Sequence, residues 1–302
     1  YLWSSPVLSD DAYRYIWEGH VQNRGYNPFL IPPADAAFKG DPLIKKINFP
    51  EIPAVYPPLI QLIFRALTLV SLSMWFFKLF FLSAVILIVM VLYKSRNQYK
   101  DTFFVWAVLP LTIMETAWSA HFDAVGVLFL LISIIFLEQS RGLWAGLFLA
   151  FSISIKLMPL MFLPLYLFAL PRNERFVFFT GLLIVPLLYI PYLSAGNMLF
   201  FALLNYVNNW WHDGALYMLL KLTGLSEGIT RLILILFFTV IYLAIFFKVR
   251  ETRNKVYLIL LALTHFSPVL WPWYLLWLVP FGVVTFPYTT ISQALLSFAS
   301  YF

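Results

Sequence analysis

Long, unbroken apolar runs constrain this chain more than any other feature. Residues 74–93, 176–193 and 229–247 are predominantly apolar, and 102–137, 143–170 and 256–270 largely so. A helix needs about 20 such residues to cross a bilayer. In lipid every backbone polar group must be satisfied internally, so only helix bundles and closed barrels cross. The runs are continuous rather than alternating, which selects helices. Composition agrees: 62% of the 302 residues are hydrophobic and 11% charged, against roughly 45–50% and about 25% in a soluble domain. The expectation is an all-α, polytopic transmembrane helix bundle.

The net charge of +6 fits orientation in a membrane better than a nucleic-acid partner. With no cysteine, disulfides and thiolate metal sites are excluded. The four histidines make no HExxH or clustered pattern, which speaks against a tightly built zinc site. No cofactor is implied, and dependence on a divalent cation stays open. No signal peptide is visible.

Four basic segments, 93–101, 138–142, 171–175 and 248–255, belong in the cytoplasm by the positive-inside rule. The runs between them must then leave and return, turning near 115–124 and 153–162. The 28 residues 143–170 are few for two spans, so short, kinked or tilted helices are expected, helped by Pro159 and Pro164. Residues 176–193 cross once, 194–228 lie outside, 229–247 cross back, and the chain turns again at 267–280. If 1–56 is outside and 94 inside, an odd number of crossings separates them. Residues 57–72 begin with Pro57-Pro58 and carry Arg65, so they read as a juxtamembrane helix along the outer surface. The division is an outer unit over 1–72 and a transmembrane bundle over 73–302.

This topology, chosen without the polar residues, puts Asp10, Asp11, Tyr56, Glu115, His121, Asp123, Lys156, His212, Asp213, Trp273 and Tyr274 at the outer face. Each has a plain reading and a chemical one. Asp10 and Asp11 follow Ser9, so they can simply start a helix, with Asp10 pairing to Arg14. Equally, a carboxylate there can accept a proton from a hydroxyl. His121 and Asp123 diverge on a regular helix and converge only in a loop or first turn. Lys156, at a junction of short apolar helices, snorkels to water or binds a phosphate. "NNWWHDGALY" and "LWPWYLLW" are interfacial belts or flat faces for sugars.

The order of the pieces "SDDAYRYIWEGHVQNRGYNPF", "AVYPPLIQLIF", "ETAWSAHFDAVGVLFLL", "SIKLMPLMFLPL" and "SPVLWPWYLLWLVP" resembles the polytopic glycosyltransferases of the C superfamily. Within it, the chain is most like bacterial polyprenol-phosphate-mannose-dependent mannosyltransferases and glycosyltransferase family 87. The resemblance covers nearly the whole chain, with Phe122 standing where the family's "HND" pattern has asparagine. It implies a first span upstream of Tyr1 and a bacterial plasma-membrane enzyme working at the outer face. A sugar, mannose by this resemblance, passes with inversion from a polyprenyl-phosphate donor to a glycan, lipid or protein hydroxyl. Asp11 is the expected base, supported by Asp10. Lys156 first, then Arg14, would hold the donor phosphate. Tyr56, His121, Asp123, His212, Asp213, Trp273 and Tyr274 would bind substrate. The competing class is a flippase or transporter of lipid-linked sugars, which needs no base.

Overall fold

The structure, a computed structural model, describes residues 2–6, 8–95, 106 and 108–296. The described residues are helical, with no strand beyond isolated bridges from His212 and Asp213 to Val269. From residue 96 on, the basic segment 93–101 lies outside the described residues.

The N-terminal segment up to residue 72 is organised by two helices. Helix α1, Asp11–Asn23, is buried on most of its surface despite its polar composition. Its start is marked by Ser9 Oγ accepting from the Asp11 amide at 3.3 Å, and its end by Gly25 at φ 86. The position before the helix is Asp10 rather than the expected Ser9. Helix α2, Pro58–Val70, has proline in its first turn, where no amide is needed. At 13 residues it spans roughly 20 Å, short of a bilayer's hydrocarbon core of about 30 Å.

A polar seam joins α1 to α2. Gln61 Nε2 donates to Glu18 Oε2 at 2.6 Å, Gln22 Nε2 to Gln61 Oε1 at 3.0 Å, and Asn23 Nδ2 to Thr68 Oγ1 at 2.9 Å. Arg65, the odd charge in the apolar run, donates to Asn23 Oδ1 at 3.3 Å. Gly19 lets the backbones meet: a Cβ there would lie 2.3 Å from the Phe64 carbonyl oxygen.

Among the described residues, three helical segments are long and apolar enough to cross a membrane: Met74–Lys94, Arg172–Asn209 and Glu227–Lys248. Glu227–Lys248 leaves Ile235, Leu236, Phe237 and Val240 exposed and buries Thr230, the inverted pattern of a lipid-facing helix. The expected crossing at 176–193 runs on as helix through Asn209, changing direction at Gly196 with φ 53. Shorter helices Asp123–Glu138 and Gly142–Ile155 pack together. The break after Ile155 is an extended residue, Lys156, followed by a 3-10 turn at Met158–Phe162.

The basic segments gather. Arg253 pairs with Glu138 at 2.8 Å, and the Gly142 amide donates to Glu174 Oε2 at 2.7 Å. Segments 138–142, 171–175 and 248–255 therefore share one end of the bundle. Asp123 and Lys156 stand at the opposite ends of the two short helices.

Gly19→Ala should lower unfolding free energy by roughly 1–3 kcal/mol, because the carbonyl it meets is backbone and cannot swing away. Gly228→Ala, with nothing within 4 Å of its Cβ, should leave the thermal midpoint nearly unchanged. Thermal unfolding in detergent, compared between the two, checks this.

Candidate active site

A cavity of about 370 Å³ opens between the N-terminal segment and the later helices. Of the residues singled out from sequence, Asp10, Asp11, Arg14, Tyr56, Asp123, Lys156, Trp273 and Tyr274 line it. His121, His212 and Asp213 do not.

Asp11 begins α1 and turns into the cavity wall. Its Oδ1 accepts from Asn48 Nδ2 at 2.9 Å, and its Oδ2 from Tyr56 OH at 3.3 Å. Burial pushes its carboxyl above the usual range, against the lowering effects of Asn48, Arg14, Tyr56 and Lys156. Asp10 is exposed at the rim.

Arg14 differs from both expectations held for it. It pairs with Glu18 at 2.9 Å rather than with Asp10. Its remaining N–H groups go to four carbonyls of one loop: Asn48 at 3.3 Å, Phe49 at 3.2 Å, Pro53 at 3.0 Å, and Ile52. A guanidinium has five N–H donors, and these contacts commit all five, leaving none for a phosphate. Arg14 instead moulds the loop that carries Asn48 to Asp11. Phe49, at φ 48, sits in a region uncommon for a side chain, held by the same clamp.

The bundle supplies the facing wall. Asp123 opens its helix and is 1% exposed, while the Lys156 side chain is 19% exposed; they meet at 2.7 Å. Trp277 Nε1 donates to the same Asp123 oxygen at 2.6 Å. The Lys156 ammonium lies 3.7 Å from the Tyr274 ring centre. Burial lowers the Lys156 pKa, and Asp123 and then Asp11 pull it back up. Tyr206 OH shares a 2.6 Å bond with Tyr274 OH and accepts from Trp271 Nε1 at 3.2 Å.

The histidines have another place. His212, Trp271, Trp273 and His121 form a continuous stack, with ring centres 3.6, 4.9 and 3.8 Å apart. The two tryptophans line the cavity, and the histidines back the stack at its two ends. His121 is fully buried, with Nδ1 3.3 Å from Tyr15 OH. Burial, with a further push from Lys156, lowers its pKa well below the ordinary imidazole range, while Glu115 Oε2 lies 3.6 Å from Nε2. His121 and Asp123 diverge: the loop turns at Ala120 with φ 63 and sends them to different partners.

Sequence reasoning missed Asn48, Tyr206 and Trp271 as cavity residues. Trp271 sat inside a stretch already singled out, and Tyr206 two residues before another. Asn48 carried no signal, because its role depends on a loop shaped by a distant arginine. Among the described residues, no three His, Cys, Asp or Glu side chains gather to hold a metal ion.

The described residues thus form a helical bundle with an aromatic-walled cavity that holds a carboxylate and a lysine. The family is narrower: the sequence model of the alpha-(1->6)-mannopyranosyltransferase N-terminal domain matches residues 1–172. That is more than half of the 302 residues, and the chain belongs to this mannosyltransferase family. Membership supports mannosyl transfer. No curated protein and no solved structure matches the chain.

Gly126, one turn after Asp123, makes the room that Trp277 needs: a Cβ there would lie 2.5 Å from the indole. Gly126→Ala should cost roughly 1–3 kcal/mol of stability. Much of that cost should vanish in a Trp277→Leu background, a coupling of at least about 0.5 kcal/mol in a double-mutant cycle of thermal unfolding.

Proposed function

We propose that this protein transfers mannose from a polyprenyl-phosphate donor to an acceptor hydroxyl, with inversion at the anomeric carbon. The observation that carries this reading is that Asp11 and Lys156 line one cavity. The family supports the sugar, and it favours transfer over the carriage of lipid-linked sugars. The alpha-(1->6) linkage in the family's description points to a primary hydroxyl, the 6-OH of a hexose, as the nucleophile.

In this mechanism the acceptor oxygen attacks the anomeric carbon from the face opposite the phosphate. The new carbon–oxygen bond forms as the bond to the phosphate oxygen breaks, and the electron pair leaves with the phosphate. The hydroxyl proton passes to Asp11. A carboxylate held above its usual pKa is a stronger base, and such proton transfer contributes roughly 10²–10⁴-fold. Asn48 and Tyr56 orient that carboxylate. Lys156 commits one N–H to Asp123 and has two more for the departing phosphate. Arg14 has no donor left and takes no part in holding phosphate. Trp271, Trp273 and Tyr274 offer flat faces to the sugars, and the histidines His121 and His212 steady those faces from behind.

Three basic segments lie at the end of the bundle away from Asp123 and Lys156. With those segments in the cytoplasm by the positive-inside rule, the cavity opens to the outer side of a bacterial plasma membrane.

Asp11→Asn should lose at least about 10² in turnover while keeping donor affinity, and Asp10→Asn should lose less. In the wild type, kcat/KM should fall as pH drops through the raised Asp11 pKa, because the base must be ionised. Asn48→Ala removes a bond that favours the ionised form, so its acid limb should move to higher pH. Normal turnover in Asp11→Asn would reduce Asp11 to a helix start; an inactive Asp10→Asn beside an active Asp11→Asn would exchange the two roles.

A further inference from the structure

At the C-terminal end of α1, a full helix length from Asp11, lies a second, shallower recess. His20 enters it from α1, Arg24 from the residue just after that helix, Lys39 and Asp41 from the loop beyond, and Leu72 from the chain after α2. Among the described residues neither Arg24 nor Lys39 forms an ion pair. Asp41 also lines the recess; its Oδ1 accepts from the Leu43 amide at 2.9 Å, and it forms no ion pair with either cation. Arg24 is steadied over the ring of buried Phe38 at 5.8 Å. The plain reading is that His20 and Arg24 complement the end of the α1 dipole. Lys39 comes from another segment and has no such explanation.

The height of this recess is set by its neighbour. The spanning helix Met74–Lys94 begins two residues after Leu72. Trp75 and Trp3, both exposed, have ring centres 5.6 Å apart at that same start, as expected where a span meets the headgroup layer. Leu69 and Val70, at the end of α2, are 71% and 73% exposed. The Asn23–Thr68 bond ties that end of α2 to the end of α1. Unpaired cations therefore stand at headgroup level beside side chains suited to acyl chains.

We propose that this recess binds the phosphate headgroup of an anionic phospholipid. Arg24 and Lys39 meet the phosphate, with His20 beside them, and the acyl chains run down past Leu72, Leu69 and Val70. The occupant is a phospholipid rather than a soluble anion because the cations and the exposed apolar side chains share one rim. The site is separate from the transfer chemistry and needs only that Met74–Lys94 crosses the membrane.

The test is photolabelling in nanodiscs of phosphatidylcholine doped with phosphatidylglycerol bearing a photoactivatable headgroup, followed by peptide mapping. Labels should fall on 20–24 and 37–43, and a phosphatidylcholine probe of the same design should label these peptides less. R24Q/K39Q should lower this labelling at least about fivefold, with labelling elsewhere and the thermal midpoint unchanged. Should the double variant fold poorly, Lys39→Gln alone, at an exposed position, should give a smaller loss. Labels confined to the basic segments 138–142, 171–175 and 248–255, or undiminished labelling in R24Q/K39Q, would overturn the proposal. Displacement by inorganic phosphate would overturn the lipid assignment. None of these outcomes depends on mannosyl transfer.

Discussion

The contact between Lys156 and Asp123 is the one on which the rest of the site depends. An ion pair at 2.7 Å with its carboxylate 1% exposed is weak evidence of stabilisation, because desolvation offsets much of the attraction. Its consequence is positional. A lysine in an apolar bundle must be paired or reach water, and this one is pinned at the end of a short helix. Trp277 reaches the same carboxylate over Gly126, and Tyr274 lies against the ammonium. Through Tyr206 that tyrosine connects to Trp271 and the aromatic stack. One buried charge thus organises most of the bundle's wall of the cavity.

The N-terminal segment supplies the opposite charge by a different route. Asp11 is held by Asn48 and Tyr56, and Asn48 is where it is because Arg14 gathers the carbonyls of its loop. Arg14 in turn is anchored through Glu18 to the α1–α2 seam. Tyr192 OH donates to Gln22 Oε1 at 2.8 Å, and Asn27 Nδ2 to Ser194 Oγ at 2.9 Å. The seam is therefore fastened to the Arg172–Asn209 segment, and the two charged walls keep their separation. Burial is shared by both walls: it raises the acid's pKa and lowers the lysine's.

Helical class and bundle character were legible from unbroken apolar runs, since lipid leaves few alternatives. The brevity of α2 was legible from Pro57-Pro58 and Arg65, and the break at Lys156 from the shortage of residues between basic segments. Eight candidate residues line the cavity because chemistry-bearing side chains in apolar sequence are costly and few. Arg14 was misjudged because its partners are backbone carbonyls some 34–39 residues away, which leave no mark on a motif. The histidines were expected at the substrate because polar residues beside tryptophan suggest sugar contacts. Instead they stack behind the tryptophans, an arrangement created by the bridge between His212 and Val269 and the turn at Ala120. Gly126 carried no signal, because the indole it admits comes from 151 residues further along the chain.

The central claim is that this cavity takes mannose from a lipid phosphate by a single inverting displacement. Purified protein in detergent, given a mannose-terminated acceptor and either polyprenyl-phosphate mannose or a nucleotide-linked mannose, tests it most directly. NMR of the anomeric carbon and proton in the product reads the stereochemistry. The account predicts transfer from the lipid donor, no transfer from the nucleotide donor, and an anomeric configuration opposite to that of the donor. Transfer from the nucleotide sugar alone, or a product that retains the donor's configuration, would contradict it.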